Sequence, residues 1–241
     1  MSARRSAARG FVIWLPLVVV SAQLIPFGTA APPQTAGPQG GLTDEEIAAR
    51  YAALTPNEDD FEFTPPDSWG RNLARGAAIA SVEPTQSATG AALTVDGVPA
   101  STWTCETRRT PAVFTIDLGK SVAFDRLVVF NRQTDQRGTG GGNNALKTFE
   151  VLVSDEGSSS SSFTSLGDFS LDGPRAVCFK KKGGGQVCAF IDNTEPNQLA
   201  LPGTEARFVR LVLKEAFWGA GALDAWKTTV ALSEIMLYRT K

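Results

Sequence analysis

The chain contains no histidine. That absence excludes serine or cysteine nucleophiles activated by imidazole, histidine-ligated zinc and histidine proton shuttles. Any catalysis would have to run on carboxylates, lysine, tyrosine or a metal held by other ligands. Charge of one sign is also lacking: the formal net charge is −2, which gives no reason to expect a nucleic-acid partner, and no basic block points to an anionic membrane. Residues 70–241 carry no strong helical periodicity, and no internal repeat stands out. The apolar run at 11–25 is shorter than the roughly 20 residues a membrane span needs, and Pro16 and Pro26 interrupt it.

What is present is the composition of an ordinary globular protein, 42% hydrophobic and 20% charged over 241 residues, enough for one or two domains. The N-terminus has the layout of an export signal. Arg4, Arg5 and Arg9 form a basic segment, residues 11–25 an apolar one, and Gly28-Thr-Ala30 supplies the small residues of a cleavage site after Ala30. The competing reading is an uncleaved anchor, and the short run argues against it. Residues 1–30 are therefore expected to be a signal peptide, and the protein secreted or periplasmic.

Three cysteines suit an exported chain. Cys178 and Cys188 flank a Lys- and Gly-rich stretch that reads as a hairpin tip, so their sulfurs can face each other. Closing so short a loop stabilises by about 2–3 kcal/mol in the chain-entropy model. Cys105 is left over, either buried and inert or paired with one of the others.

Residues 31–69 read as a leader. Pro, Gly and Gln dominate 31–41, and Thr43-Asp-Glu-Glu46 has capping-box spacing that opens a short helix over 44–54 with Ile47, Tyr51 and Leu54 on one side. The acidic, proline-bearing stretch 57–68 ends it, and the segment is too small to build its own core. It is a leader or an arm on the main domain.

The domain proper, 70–241, is a run of short strands and Gly/Pro/Ser turns, the pattern of an all-β sandwich or barrel. Alternation marks strands at 114–118 and 146–154. Leu127-Val-Val-Phe130 is a continuous apolar run, as in a strand buried on both faces. Further strands are expected at 163–169, 187–192, 206–213 and 232–238. Between 133 and 144 lies a polar loop with four glycines, and a long loop on a rigid sandwich is a place to bind something.

The ordered elements Asn72-Leu-Ala-Arg-Gly, Val95-Asp-Gly to Trp103, Phe114-Thr-Ile-Asp-Leu-Gly, Leu146-Lys-Thr-Phe-Glu-Val-Leu-Val-Ser-Asp-Glu-Gly, Ala206-Arg-Phe-Val-Arg-Leu and Leu232-Ser-Glu-Ile-Met-Leu-Tyr resemble the discoidin, or coagulation factor 5/8 type C, family. The nearest likeness within it is to family 32 carbohydrate-binding modules. Each element alone is weak; six in order across nearly all of 70–241 are specific. The resemblance implies a galactose-binding-like β-sandwich jelly roll with loops clustered at one end.

It also implies site residues. Arg132, where the long loop begins, stands where sugar-binding relatives place an arginine, and its planar donor fork suits adjacent hydroxyls; the bland alternative is a surface salt bridge. Glu83 occupies the place of an acidic hydroxyl acceptor, although a solvated carboxylate is the commoner role. Asn143 and Asn144 flank glycines, where turn roles compete with ligand contact. Trp218 or Trp226, in the loop before the last strand, can stack on a sugar ring or plug the sandwich end. Trp103 is assigned to the core. Asp96, Ser101 and Glu234 match a structural calcium site made of hard oxygen ligands, with Val98 where an acidic or amide residue is common.

The departures lie at 104–109, where Thr-Cys-Glu-Thr-Arg-Arg replaces the histidine and aromatic of galactose-binding relatives. Arg108 and Arg109 are the candidates to take over. The loops lack the apolar spikes of membrane-binding relatives, which speaks against lipid. The expectation is an exported, non-catalytic, lectin-like module for glycans on a cell surface or matrix. The alternative is a protein-interaction or adhesion module on the same scaffold. A hydrolase or lyase using Glu83, Glu106 and Asp135 is the third reading; nothing in their spacing requires it.

Overall fold

The described residues form ten strands, one α-helix, α1, and three short 3-10 turns, and the longest two strands form the spine of the fold. The computed structural model describes residues 40–107, 112–132, 144–157, 162–217 and 228–241. All of them fall in the second of the chain's two units, Gln39–Lys241. The strands are β1 Ala78–Glu83, β2 Trp103–Thr107, β3 Ala112–Val129, β4 Leu146–Ser154, β5 Thr164–Ser170, β6 Arg175–Lys180, β7 Gln186–Ile191, β8 Asn197–Ala216, β9 Thr228–Leu232 and β10 Ile235–Tyr238. No helix among the described residues is long and apolar enough to cross a membrane.

The main sheet is antiparallel with order β1-β3-β8-β4-β5, and β10 lies along the second half of β3. β3 and β8 pair from Ala112↔Leu213 to Val129↔Asn197, with breaks after Asp117 and Phe124. The two strands expected at 114–118 and 127–130 thus belong to the two halves of one bent strand. The bend sits at Gly119, whose φ of 78° is open to glycine without strain. The Asp117 carboxylate accepts the Gly119 N–H at 2.8 Å.

A short sheet of β2 and β9 covers one face of the main sheet, making an all-β sandwich. Trp103, Cys105, Val230 and Leu232 of the short sheet pack with Phe114, Phe149, Val151 and Leu211 of the main one. Trp103 lies 5.5 Å from Phe114, and its indole N–H donates to the Ser87 carbonyl at 2.7 Å. Cys105 is fully buried in this core.

Alternation along β3 and β10 explains the second cluster. Leu127, Val129, Ile235 and Leu237 face the sandwich core, while Val128, Phe130, Met236 and Tyr238 join Phe61 on the other side, with Phe63 and Trp69 against them. The apolar run Leu127-Val-Val-Phe130 is buried on both faces because the arm covers what would be the outer one.

The arm begins with α1, Asp44–Leu54. Thr43 accepts the Glu46 N–H, and Glu46 accepts the Thr43 N–H, so the capping box read from the sequence is made on both sides. Leu42 pairs with Lys181 next to the β6–β7 hairpin, Asp44 meets the Lys181 ammonium at 2.8 Å, and Tyr51 donates to the Phe190 carbonyl at 3.2 Å. Ile47 is buried, whereas Leu54 is exposed. Cys178 and Cys188 are direct cross-strand partners in β6 and β7 and are joined by a disulfide.

The segment expected as one strand at 232–238 is divided. Residues up to Leu232 pair with β2 in the short sheet, and residues from Ile235 pair with β3 in the main sheet. Ser233 and Glu234 form the corner between the sheets.

Phe61 anchors the arm on an otherwise apolar sheet face, so Phe61→Ala should cost about 3 kcal/mol. The expected outcome is a lower urea midpoint with new protease cleavage between residues 54 and 69. An unchanged midpoint would show that the arm contributes nothing to the fold.

Candidate ligand-binding site

Three segments whose sequence suggested ligand contact start from adjacent positions. Thr107, the end of β2, pairs with Thr228, the start of β9. Ala145 bridges to Ala231 and accepts the Phe217 N–H at 2.8 Å, and the Ala231 N–H donates to the Asn144 carbonyl at 2.7 Å. Phe217 is seated against Gly173, where a Cβ would come within 2.5 Å of the ring; only glycine allows that approach. The roots of segments 108–111, 133–143 and 218–227 therefore converge at one end of the sandwich. Arg108, Trp218 and Trp226 lie outside the described residues, as do Arg109, Asp135 and Asn143.

The loop between Val95 and Ser101 is rigidly made. Asp96 accepts the Val98 N–H at 2.8 Å in an Asx turn, Ser101 donates its hydroxyl to Asp96 at 3.4 Å, and the Gly97 N–H donates to Glu234 at 3.1 Å. Gly97 has φ 85°, and a Cβ there would meet the Arg75 guanidinium. Ser233 donates to the carbonyls of Pro99 and Ser101. The corner at 233–234 is thus held by this loop, which is why the last strand breaks there.

Asp96, Ser101 and Glu234 are brought together by these bonds. Glu234 is completely buried. Burial first, and the Asp96 carboxylate second, push its carboxyl up to about 8. Its Oε2 has no hydrogen-bond partner among the described residues. A buried carboxylate oxygen without a donor, beside a second carboxylate and a hydroxyl, is a hard-oxygen set of the kind Ca²⁺ takes. Among the described residues no group of three or more His, Cys, Asp or Glu side chains is placed to hold a metal ion, so any further ligands would have to be carbonyls or hydroxyls.

The Arg132 side chain is turned inward. Its side chain is 9% exposed, its Nε lies 3.4 Å from Asp192, a second nitrogen donates to the Ala100 carbonyl, and its guanidinium sits 4.0 Å over the Phe61 ring. The arginine expected to reach a sugar instead joins the arm, the 95–101 loop and the end of β7. The salt bridge weighed against that role is the one formed, and it is buried rather than on the surface. Glu83 ends β1 opposite Val113, exposed, with a cis bond to Pro84. Asn144 is buried, with its carbonyl in the root just described. Sequence reasoning missed Asp192 and Phe61; neither carries a local signal, because each meets Arg132 only through the fold.

A model described as the F5/8 type C domain matches residues 77–226. No curated protein matches the chain. Among solved structures, the chain is similar to SpGH29 at 20% identity and TM-score 0.43, covering 71% of this chain and 28% of that one. It is similar to the C-terminal domain of a chitobiase from Bacteroides fragilis at 16% identity and TM-score 0.47, over 71% of this chain and 98% of that one. The family 32 carbohydrate-binding module of C. perfringens NanJ, in complex with galactose, is similar at 13% identity and TM-score 0.42, over 73% of this chain and 96% of that one.

Two outcomes follow from the buried groups. Arg132→Ala removes the arginine paired with the buried Asp192 carboxylate and should cost about 3 kcal/mol in urea unfolding; adding Asp192→Asn should recover part of it, and a silent Arg132→Ala would contradict the pairing. Glu234 keeps its proton in the folded state up to about pH 8 but would lose it near 4.5 when unfolded. The folded state binds more protons across that window, so with chelator present stability should fall as pH rises from about 4.5 to about 8. Glu234→Gln should flatten that decline, and an unaltered profile in the variant would refute the assignment.

Proposed function

The chain belongs to the F5/8 type C domain family, and from that premise we propose that it is an exported, non-catalytic module that binds glycans through the loops at one end of its sandwich. The observation that carries the reading is the convergence of the three loop roots at Thr107–Thr228, Asn144–Ala231 and Ala145–Phe217. From those roots the sequence runs directly into Arg108, the Gly-rich loop, Trp218 and Trp226. Tryptophan supplies an apolar face for a sugar ring, and arginine and asparagine supply donors for its hydroxyls. The ligand would be held shallowly, on a cell surface or matrix.

Export is supported by the basic and apolar N-terminal segments and by the Cys178–Cys188 disulfide, which suits an oxidising compartment. The non-catalytic part rests on chemistry. No histidine exists in the chain, and Glu234, whose carboxyl is the one among the described residues held up near 8, is sealed from solvent and cannot meet a substrate. Asp96, Ser101 and Glu234 would hold a structural Ca²⁺. The ion would supply the positive charge that lets Glu234 ionise and would fasten the corner to the 95–101 loop.

A second reading, a protein-interaction or adhesion module, is favoured by one observation: Arg132 is committed inward and leaves the loop end without that guanidinium.

The test is a glycan array with the secreted protein, in calcium and in chelator, beside Trp218→Ala and Trp226→Ala. Specific binding that falls by about tenfold in one tryptophan variant, and that weakens in chelator, is the expected result. A blank array together with a protein recovered by pull-down would replace the glycan reading with the adhesion one.

A further inference from the structure

A cleft of about 740 Å³ opens between the end of α1 and the connection from β7 to β8. We propose that this cleft is a second glycan-binding site, taking oligosaccharides without acidic groups and favouring amino sugars.

The cleft is built from two separately fixed walls. On the arm side, Thr55 closes α1 by donating its N–H to the Tyr51 carbonyl, and Asn57 and Asp60 lock the following turn. Tyr51 and Phe61 fasten that wall to the domain through Phe190 and Arg132. On the sheet side, Asn193 donates to the Gly173 carbonyl at 2.7 Å, while the Asn197 side chain both accepts from and donates to the backbone of Asp172. Amide side chains hold the backbone of that wall, and the carboxylates of Asp172 and Glu195 are left facing solvent. A volume of this size lies within the range of small-ligand sites.

The lining selects the ligand. Carboxylates and amides offer acceptors and donors to neighbouring hydroxyls, and Leu54 and Leu199 add apolar surface on which the face of a sugar ring can rest. Asp192 is neutralised by Arg132. Of the remaining charged residues, Asp60, Asp172 and Glu195 outnumber Arg175 by two negative charges. That excess repels uronic or sulfated chains and attracts ammonium groups. The described lining carries no aromatic side chain, so recognition depends on hydrogen bonds and charge rather than on ring stacking.

The inference is independent of the loop-end reading, and the experiment separates them. Titration calorimetry would follow an oligomer of glucosamine, its N-acetylated counterpart, a galacturonate oligomer and a lysine peptide. Each is run against the parent protein, a loop-end variant carrying Trp218→Ala and Trp226→Ala, and a cleft variant carrying Asp172→Asn and Glu195→Gln. The two cleft residues are exposed, and unaltered unfolding midpoints would verify that the variant folds.

The expected result is that the glucosamine oligomer binds tightest, the N-acetylated one more weakly and the galacturonate not at all. Binding should survive in the loop-end variant, weaken about tenfold in the cleft variant and weaken with added salt. Binding that persists in the cleft variant, absence of binding by either hexosamine oligomer, or equal binding of galacturonate would overturn the proposal. A lysine peptide that binds as tightly as the sugar would overturn it in favour of a basic protein partner. Loss confined to the loop-end variant would place the glycan there and not in the cleft.

Discussion

The β3–β8 ladder is the constraint on which the rest of the structure depends. Its two strands run side by side from Ala112↔Leu213 to Val129↔Asn197. β1 and β10 attach to successive halves of β3, and β4 attaches to β8. The break in register after Asp117 bends both strands together, and local bulges of this kind increase twist without ending the sheet. Alternation along β3 lets its second half serve both the sandwich core, through Leu127 and Val129, and the arm-covered cluster, through Val128.

That second cluster requires a cover. Val128, Phe130, Met236 and Tyr238 point away from the sandwich core, and leaving such a patch to water would forgo the burial of several large side chains. Residues 61–69 supply the cover with Phe61, Phe63 and Trp69. Phe61 in turn supplies the ring face for Arg132, and Asp192 supplies the counter-charge. A guanidinium is tolerated at this depth only because stacking and pairing are both satisfied. The arm is therefore part of the domain's energetics, although its sequence reads as an acidic, proline-bearing leader.

Much of the fold was legible because its signals are local. The capping box at Thr43 and Glu46 placed α1 over 44–54, and period-two alternation placed the first half of β3 and the whole of β4. The hairpin around Cys178 and Cys188 followed from a Lys–Gly tip. What was misread depends on partners far along the chain. The stretch 232–238 looks like one strand, but Glu234 is held by Gly97, 137 residues away, and the chain changes sheet there. β8 extends well beyond 206–213 because β3 offers backbone partners to residues such as Asn197, Leu199 and Ala200, whatever their own propensity. Arg132 was expected to reach outward, and the fold turns its side chain inward. Its strand position was readable, but its direction was set by Asp192, 60 residues on, and by an arm that no periodicity connects to it.

The inward direction of Arg132 changes how any binding experiment on this protein has to be interpreted. One guanidinium contacts Ala100, in the loop that carries Asp96 and Ser101, and Asp192, in the wall of the arm-side cleft. Removing it loosens both places and exposes neither. A loss of ligand affinity on truncating Arg132 would therefore report disturbed positioning, and it could not count as a lost sugar contact at either site. Unpairing Asp192 acts on the same bond from the other side, so these two substitutions must be non-additive, as for any directly contacting pair. Asp172 and Glu195 are different, because their carboxylates are exposed and support nothing beneath them. Only residues of that second kind separate recognition from stability, and they, rather than the buried arginine that the family pattern singles out, are the ones through which binding can be read.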